Sequence, residues 1–179
     1  MKLYEKKISS RQIFDGKVVK LFVDEVELPN GQIATREIVR HPGAVCVVPL
    51  TDEGEVVMVK QFRYPFEKVL LEIPAGKLEP GEDPLDAVKR ELEEESGAVA
   101  GTIIHLGELY TTVAIFDEVI QVYLAKDLTF KNAHPDEDEF LEATKIPLDT
   151  LIDMIMKGEI RDAKTQIALL KAEKYIKQV

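Results

Sequence analysis

Residues 76–98, Gly-Lys-Leu-Glu-Pro-Gly-Glu-Asp-Pro-Leu-Asp-Ala-Val-Lys-Arg-Glu-Leu-Glu-Glu-Glu-Ser-Gly-Ala, constrain the fold most, because they spell a loop, an acidic helix and its stop in one run. Pro84 suits a first helical turn, where its missing N–H has no partner to lose. Asp83 can cap that end, and Gly97 can take the left-handed conformation that closes a helix. These signals predict a helix over residues 84–96. At about 100° per residue, Leu85, Val88 and Leu92 form one apolar stripe, Glu91 and Glu95 flank it, and Glu94 lies a little further round. Three carboxylates share one side of two turns.

That concentration of charge is unfavourable by itself. Like charges three or four residues apart cost roughly a few tenths of a kcal/mol per pair, and the C-terminal end of a helix disfavours anions. Glu91, Glu93, Glu94 and Glu95 have only Lys89 and Arg90 as neighbouring cations in the helix. Such a segment is either a solvated acidic face or a site completed by a hard divalent cation. Mg²⁺ prefers carboxylate oxygens, keeps several waters and is commonly shared with substrate phosphates.

The spacing favours the second reading. Gly76, five residues, Glu82, seven residues, then Arg90-Glu91-Leu92-Glu93-Glu94-Glu95-Ser96-Gly97 and a small apolar residue resembles the signature box of the Nudix hydrolases. Ala98, where that family usually has a larger aliphatic residue, is the one soft departure. The resemblance implies the α/β Nudix fold, an α/β/α sandwich with a mixed sheet, here with an N-terminal antiparallel β unit. Residues 1–40 are then an appendage for dimerisation and substrate contact, and residues 41–179 the hydrolase domain. It implies Mg²⁺-dependent hydrolysis of a nucleoside diphosphate sugar, ADP-ribose or a relative, with Mn²⁺ as a substitute ion. Glu91 and Glu95 would be the principal metal ligands, with the carbonyl of Ala75 joining them and Glu94 joining or orienting them. Arg90 would hold a neighbouring glutamate in place, helped by Glu82 through the loop.

Composition agrees with this reading. A chain of 179 residues with 45% hydrophobic content fits one domain and an added element. A net charge of −10 argues against nucleic acid as a partner, since that affinity comes from clustered Lys and Arg. The single cysteine, Cys46, excludes an internal disulfide and sits in an apolar run, as a buried inert thiol would. No apolar run approaches the ~20 residues of a membrane span, and the N-terminus lacks a secretory signal. The expectation is a cytoplasmic protein without a membrane partner.

Along the chain, residues 17–28 and 32–39 flank Pro29-Asn30-Gly31 as a hairpin, with a short strand before them. Residues 44–50 and 55–62 read as core strands around a tight turn, residues 69–73 as a short strand leading into the box, and residues 102–110 and 119–125 as strands. Residues 148–157 and 163–176 read as helices burying Leu151, Ile152, Ile155, Ile167, Leu170 and Tyr175. His41, His105 and His134 have no partner at metal-ligand spacing and are read as structural or exposed.

The opening pattern, Phe14-Asp15-Gly16, then residues 36–44, is similar to the ADP-ribose pyrophosphatase branch of the family. In that branch the N-terminal unit is shared across a homodimer and an arginine near the end of its last strand reaches substrate. Arg36 is the candidate, against a plain surface arginine on an edge strand. Arg63 is a candidate phosphate contact through its planar fork, against a structural ion pair. Residues 111–118 lack the branch's usual Ser-Pro-Gly run but keep its Asp-Glu end, which makes Glu118 a substrate-binding candidate and leaves room for other sugars. In similar pyrophosphatases a loop corresponding to residues 132–139 supplies the glutamate that activates water; Glu137 is preferred here, with Glu139 the alternative. The rival readings are a non-catalytic nucleotide-sugar sensor of Nudix fold, or a nucleoside triphosphate or RNA-end pyrophosphohydrolase.

Overall fold

The computed structural model describes residues 3–134 and 140–178. Glu137 and Glu139 lie outside the described residues. The chain divides into two units, Met1–Pro42 with Tyr110–Val119, and Gly43–Leu109 with Ile120–Val179.

The first unit is an antiparallel sheet of β1 (Lys6–Asp15), β2 (Lys20–Glu27) and β3 (Ile33–Arg40), in that order. The expected turn joins β2 to β3: Gly31 donates its N–H to Leu28 O at 2.8 Å, and Asn30 Oδ1 accepts from Gln32 N–H at 3.1 Å. β1 is ten residues long rather than the short strand expected, because it pairs along the whole of β2, with two register shifts absorbing its extra residues. Every residue of β1 is exposed, including Ile8, Ile13 and Phe14. Asp24 of β2 is buried among Ser10, Lys7 at 3.4 Å and Arg40 at 3.3 Å, and the Ser10 hydroxyl leads in holding its carboxyl below the usual range.

The second unit is built on β4 (Ala44–Pro49). β4 sits in a sheet of order β7-β4-β9-β8, with β7 (Ala75–Lys77) antiparallel to it, β9 (Val119–Phe130) parallel to it, and β8 (Ala98–Tyr110) beyond β9. The sheet is therefore mixed. The apolar run of β4 is unbroken because both faces are covered. Ala44, Cys46 and Val48 pack with Leu151 and Ile155 of α2 (Leu148–Met156) and Ala168, Leu169 and Ala172 of α3 (Ala163–Ile176). Val45 and Val47 pack instead with Ala87, Val88 and Leu92 of α1 (Pro84–Ser96). One helix, a sheet and two helices stack as three layers, the α/β/α arrangement expected.

A smaller sheet has β5 (Glu55–Arg63) between β10 (Leu141–Pro147) and β6 (Lys68–Glu72), both pairings antiparallel. The turn before β5 forms as expected, with Thr51 N–H on Glu55 O at 2.8 Å. β4 and β5 meet at the bridge of Leu50 with Val56 and then join different sheets. β10 is absent from the sequence reading: Leu141, Thr144 and Ile146 are its half-buried residues, a spacing that breaks strict alternation.

Two helix faces differ from expectation. In α1 the buried arc runs through Ala87, Val88, Glu91, Leu92, Glu95 and Ser96, and Leu85, in the first turn, is left 41% exposed. In α3 the buried residues are Thr165, Ala168, Leu169 and Ala172, while Leu170 and Tyr175 face outward. Apolar residues surround that helix, so periodicity alone leaves its phase open, and the small side chains take the sheet side. In α2, Leu151 and Ile155 are buried as predicted.

Candidate active site

The box helix forms with the predicted bounds and caps. The Asp83 carboxylate accepts the Leu85 N–H at 2.8 Å, Pro84 occupies the first turn, and Gly97 closes the helix at φ 68° with its N–H on Glu93 O. A side chain at Gly97 would be strained by that φ and would place Cβ 2.3 Å from Lys131 O.

Gly76 is required for a different reason, since it needs no positive φ. A Cβ there would lie 1.8 Å from Glu91 Oε1 and 1.9 Å from its Cδ. The absence of a side chain lets the Glu91 carboxylate nest against the backbone of β7.

Arg90 organises the acidic side chains. Its Nε and Nη2 donate to the two oxygens of Glu82 at 2.9 and 3.0 Å, and Nη1 donates to Glu91 Oε1 at 2.8 Å and Glu94 Oε2 at 3.0 Å. Nη2 also reaches Lys77 O at 3.4 Å. One planar fork thereby serves three carboxylates, one of them bidentately. The bond from Arg90, followed by the Glu79 N–H, holds the Glu82 carboxyl below its ordinary value. The hydrogen bonds to Glu82, then the charge of Glu91 and the bonds to Glu91 and Glu94, raise Arg90 further above its already high value.

Glu95, one turn beyond Glu91, is buried and its Oε2 accepts the Ala75 N–H at 3.0 Å. Ala75 is itself fixed by pairing with Cys46 of β4. Glu93 lies on the other flank, paired to Lys131 at 2.8 Å. His134 donates its backbone N–H to Glu94 O at 3.0 Å and, with Arg90, Glu93 and Glu94, lines a cavity.

Among the described residues no three His, Cys, Asp or Glu side chains converge as a ready-made metal cage. That does not exclude Mg²⁺, which is commonly held by one or two carboxylates with waters and substrate phosphates completing its shell. The donors fit such an ion: buried Glu91, lodged where any Cβ on Gly76 would stand, and buried Glu95 one turn on, with Glu94 beside them.

Arg63, at the end of β5, donates Nε and Nη2 to Glu72 at 2.7 and 2.8 Å. Its ion-pair reading is thus occupied, while its side chain remains 39% exposed. Glu72, 2% exposed at the end of β6, also takes Lys164 of α3, which pairs with Asp162 at 3.0 Å. Burial pushes the Glu72 carboxyl up, but Arg63 and Lys164 together outweigh it and hold it below its ordinary value. Sequence reasoning missed Glu72, Lys164 and Asp162; the one available signal was a glutamate inside the apolar run Val69-Leu70-Leu71-Glu72-Ile73.

Arg36 and Glu118 belong to the first unit. Arg36 pairs with Glu5 at 2.6 and 2.9 Å, and Glu118 accepts the Thr111 hydroxyl at 2.7 Å, with His41 Nδ1 at 3.4 Å. His105 bonds Gln121 at 2.8 Å beside the Tyr123 ring. Burial pushes the Cys46 thiol up to about 12, as expected of an inert cysteine.

Comparison with known proteins adds independent findings. The NUDIX domain model matches residues 40–168, and the model of the nucleoside diphosphate sugar hydrolase N-terminal domain matches residues 5–39. The chain is 47% identical over 169 residues to the ADP-ribose pyrophosphatase of Bacillus subtilis (strain 168), covering 93% of this chain and 91% of that protein. It is 51% identical over 171 residues to the methanol dehydrogenase activator of Bacillus methanolicus, covering 94% and 92%. A crystal structure of ADP compounds hydrolase superposes with a TM-score of 0.87 at 23% identity, over 97% of this chain and 95% of that one.

Proposed function

The chain belongs to the Nudix hydrolases, and from that premise we propose that it cleaves the pyrophosphate of ADP-ribose or a closely related nucleoside diphosphate sugar, releasing a nucleoside monophosphate and a sugar phosphate. The observation that carries the reading is the pair of buried carboxylates on one helix, Glu91 lodged against Gly76 and Glu95 held by the Ala75 N–H. A sensor has no need of such an arrangement, and the N-terminal match to nucleoside diphosphate sugar hydrolases speaks against a triphosphatase.

Glu91 and Glu95, with Glu94 and the Ala75 carbonyl, are the residues we assign to Mg²⁺, Mn²⁺ being the substitute. When bound, the ion supplies positive charge to the pyrophosphate and acidifies water. The remaining work falls to the chain. Arg90 bridges Glu91 and Glu94 through Nη1 and holds both in place, so that little reorganisation is needed when substrate arrives. Glu137, with Glu139 the alternative, takes the proton of the attacking water as its oxygen bonds to phosphorus and the bridging P–O bond breaks. Arg63, its Nε and Nη2 on Glu72, offers its Nη1 edge to phosphate, and Arg36 and Glu118 are assigned to substrate. The ten exposed residues of β1, with Ile8, Ile13 and Phe14 among them, support a homodimer formed through residues 1–40. We assign the enzyme to the cytoplasm on its single cysteine, Cys46, buried and free of any disulfide; no helix among the described residues is long and apolar enough to cross a membrane.

Product release from ADP-ribose, ADP-glucose, GDP-mannose, UDP-glucose, diadenosine polyphosphates and nucleoside triphosphates, with Mg²⁺ and with chelator, tests the reading. Metal-dependent cleavage of ADP-ribose is expected, and absence of cleavage of every nucleotide sugar refutes it. A larger loss of turnover in Glu139→Gln than in Glu137→Gln would move the base to Glu139. The 51% identity to a methanol dehydrogenase activator favours a second reading, that the chain stimulates such a dehydrogenase. A dehydrogenase rate unchanged by equimolar chain with Mg²⁺ removes it.

A further inference from the structure

Behind Arg63 lies a chain of charges that the hydrolysis as outlined does not use. Glu72 receives Nε and Nη2 of Arg63 and, on Oε2, the ammonium of Lys164. Lys164 also pairs with Asp162 Oδ2 at 3.0 Å, and that oxygen takes the Thr165 N–H at 2.9 Å and hydroxyl at 2.6 Å. Thr165 Oγ1 in turn accepts the Ile73 N–H at 3.1 Å. The network joins the ends of β5 and β6 to the start of α3, and all of its members lie in the second unit.

Lys164 is an unusual choice for its place. It sits in the first turn of α3, where the helix dipole disfavours a cation, and its side chain is 13% exposed. Burial disfavours its charged form, but Asp162 and Glu72 outweigh that and hold the pKa of its ammonium above the ordinary value. Two carboxylates thus hold it against both penalties. For stability alone, a buried ion pair is often no better than apolar residues of similar volume, so a further role is the natural question.

The charges answer it. Arg63 and Lys164 balance Glu72 and Asp162 to a net charge of zero; without Lys164 the remaining three, Arg63 included, would sum to one negative charge, facing an anionic substrate. The bidentate bond uses Nε and Nη2 of Arg63, and among the described residues no acceptor takes Nη1, on a side chain 39% open to solvent.

We propose that Lys164 is a positioning residue for the hydrolysis: by holding Glu72 it aligns Arg63, and by cancelling the carboxylate behind it leaves the outward Nη1 edge to meet a substrate phosphate as a positive charge. This rests on the reading of Arg63 as a phosphate contact.

The test compares wild type with Lys164→Met, Lys164→Gln, Lys164→Arg, Arg63→Gln and Arg63→Gln/Lys164→Met, all checked for folding by circular dichroism. Binding of inorganic pyrophosphate is measured by calorimetry, and steady-state kinetics on ADP-ribose follow. Lys164→Met and Lys164→Gln are expected to weaken pyrophosphate about tenfold and raise KM as much, the size of one charge-assisted contact, with kcat within about twofold. Lys164→Arg should restore most of the loss, and Lys164→Met should add less than about twofold in the Arg63→Gln background. Should Lys164→Met fail to fold, Lys164→Gln, which keeps a donor without the charge, carries the comparison. The proposal is overturned by pyrophosphate affinity within twofold of wild type in Lys164→Gln, by an equal loss in the Arg63→Gln background, or by wild type that binds no pyrophosphate. Wild type that binds pyrophosphate yet cleaves no nucleotide sugar refutes the hydrolase reading alone, and the binding comparison still judges Lys164.

Discussion

Gly76→Ala is the most direct probe of how the backbone shapes the acidic site. The added Cβ would stand 1.8 Å from Glu91 Oε1 and 2.4 Å from Oε2, against a floor of 3.0 Å for such contacts, so the carboxylate must move by at least about 1.2 Å. A carboxylate is the tip of a flexible side chain, but here it is buried and bonded to Arg90 at 2.8 Å. Moving it breaks a charge-assisted hydrogen bond and repacks a tight site, at roughly 1–3 kcal/mol. For a domain of this size each kcal/mol lowers Tm by about 2–4 °C, giving a fall of roughly 2–12 °C by calorimetry. The functional cost should be larger: displacing the carboxylate proposed to hold the metal is expected to lower metal affinity or turnover about 10- to 100-fold, read as the Mg²⁺ concentration at half-maximal rate. The control is Gly76→Ala in a Glu91→Ala background, where the clashing atoms are gone and the stability penalty should vanish. An equal Tm loss in both backgrounds would refute the steric argument.

Glu95→Gln keeps an oxygen to accept the Ala75 N–H, so Tm should change by less than a few degrees while Mg²⁺-dependent turnover falls at least ~100-fold; full activity would sink the metal assignment. Because the Glu72 carboxyl is held below its ordinary value of 4.5, its contribution to stability is fully present above about pH 4.5 and is lost as pH falls through the lower folded-state value. Denaturant midpoints of wild type and Glu72→Gln should therefore converge in acid, and curves that stay parallel below pH 4 would contradict the pairing. The Cys46 thiol, buried and raised to about 12, should react with a maleimide at pH 8 only after unfolding, so mass-spectrometric labelling of the native protein within minutes would show the core to be looser than described.

What the sequence determined by itself is local. The cap at Asp83, Pro84 in the first turn, the left-handed stop at Gly97 and the gathering of Glu91, Glu94 and Glu95 on one flank follow from contacts within a few residues, where spacing and side-chain chemistry decide the outcome. The unbroken apolar run of β4 likewise foretold a core strand, which the fold then covers on both faces. Tertiary structure decided the rest. The phase of α3 turned on which small residues could approach the sheet, and the separation of β4 and β5 into two sheets on partners recruited from distant segments. The Arg63–Glu72–Lys164–Asp162 network spans up to 92 residues between bonded partners. A glutamate in an apolar strand and a lysine in the first turn of a helix each break a local rule, and only the fold brings them together so that each satisfies the other.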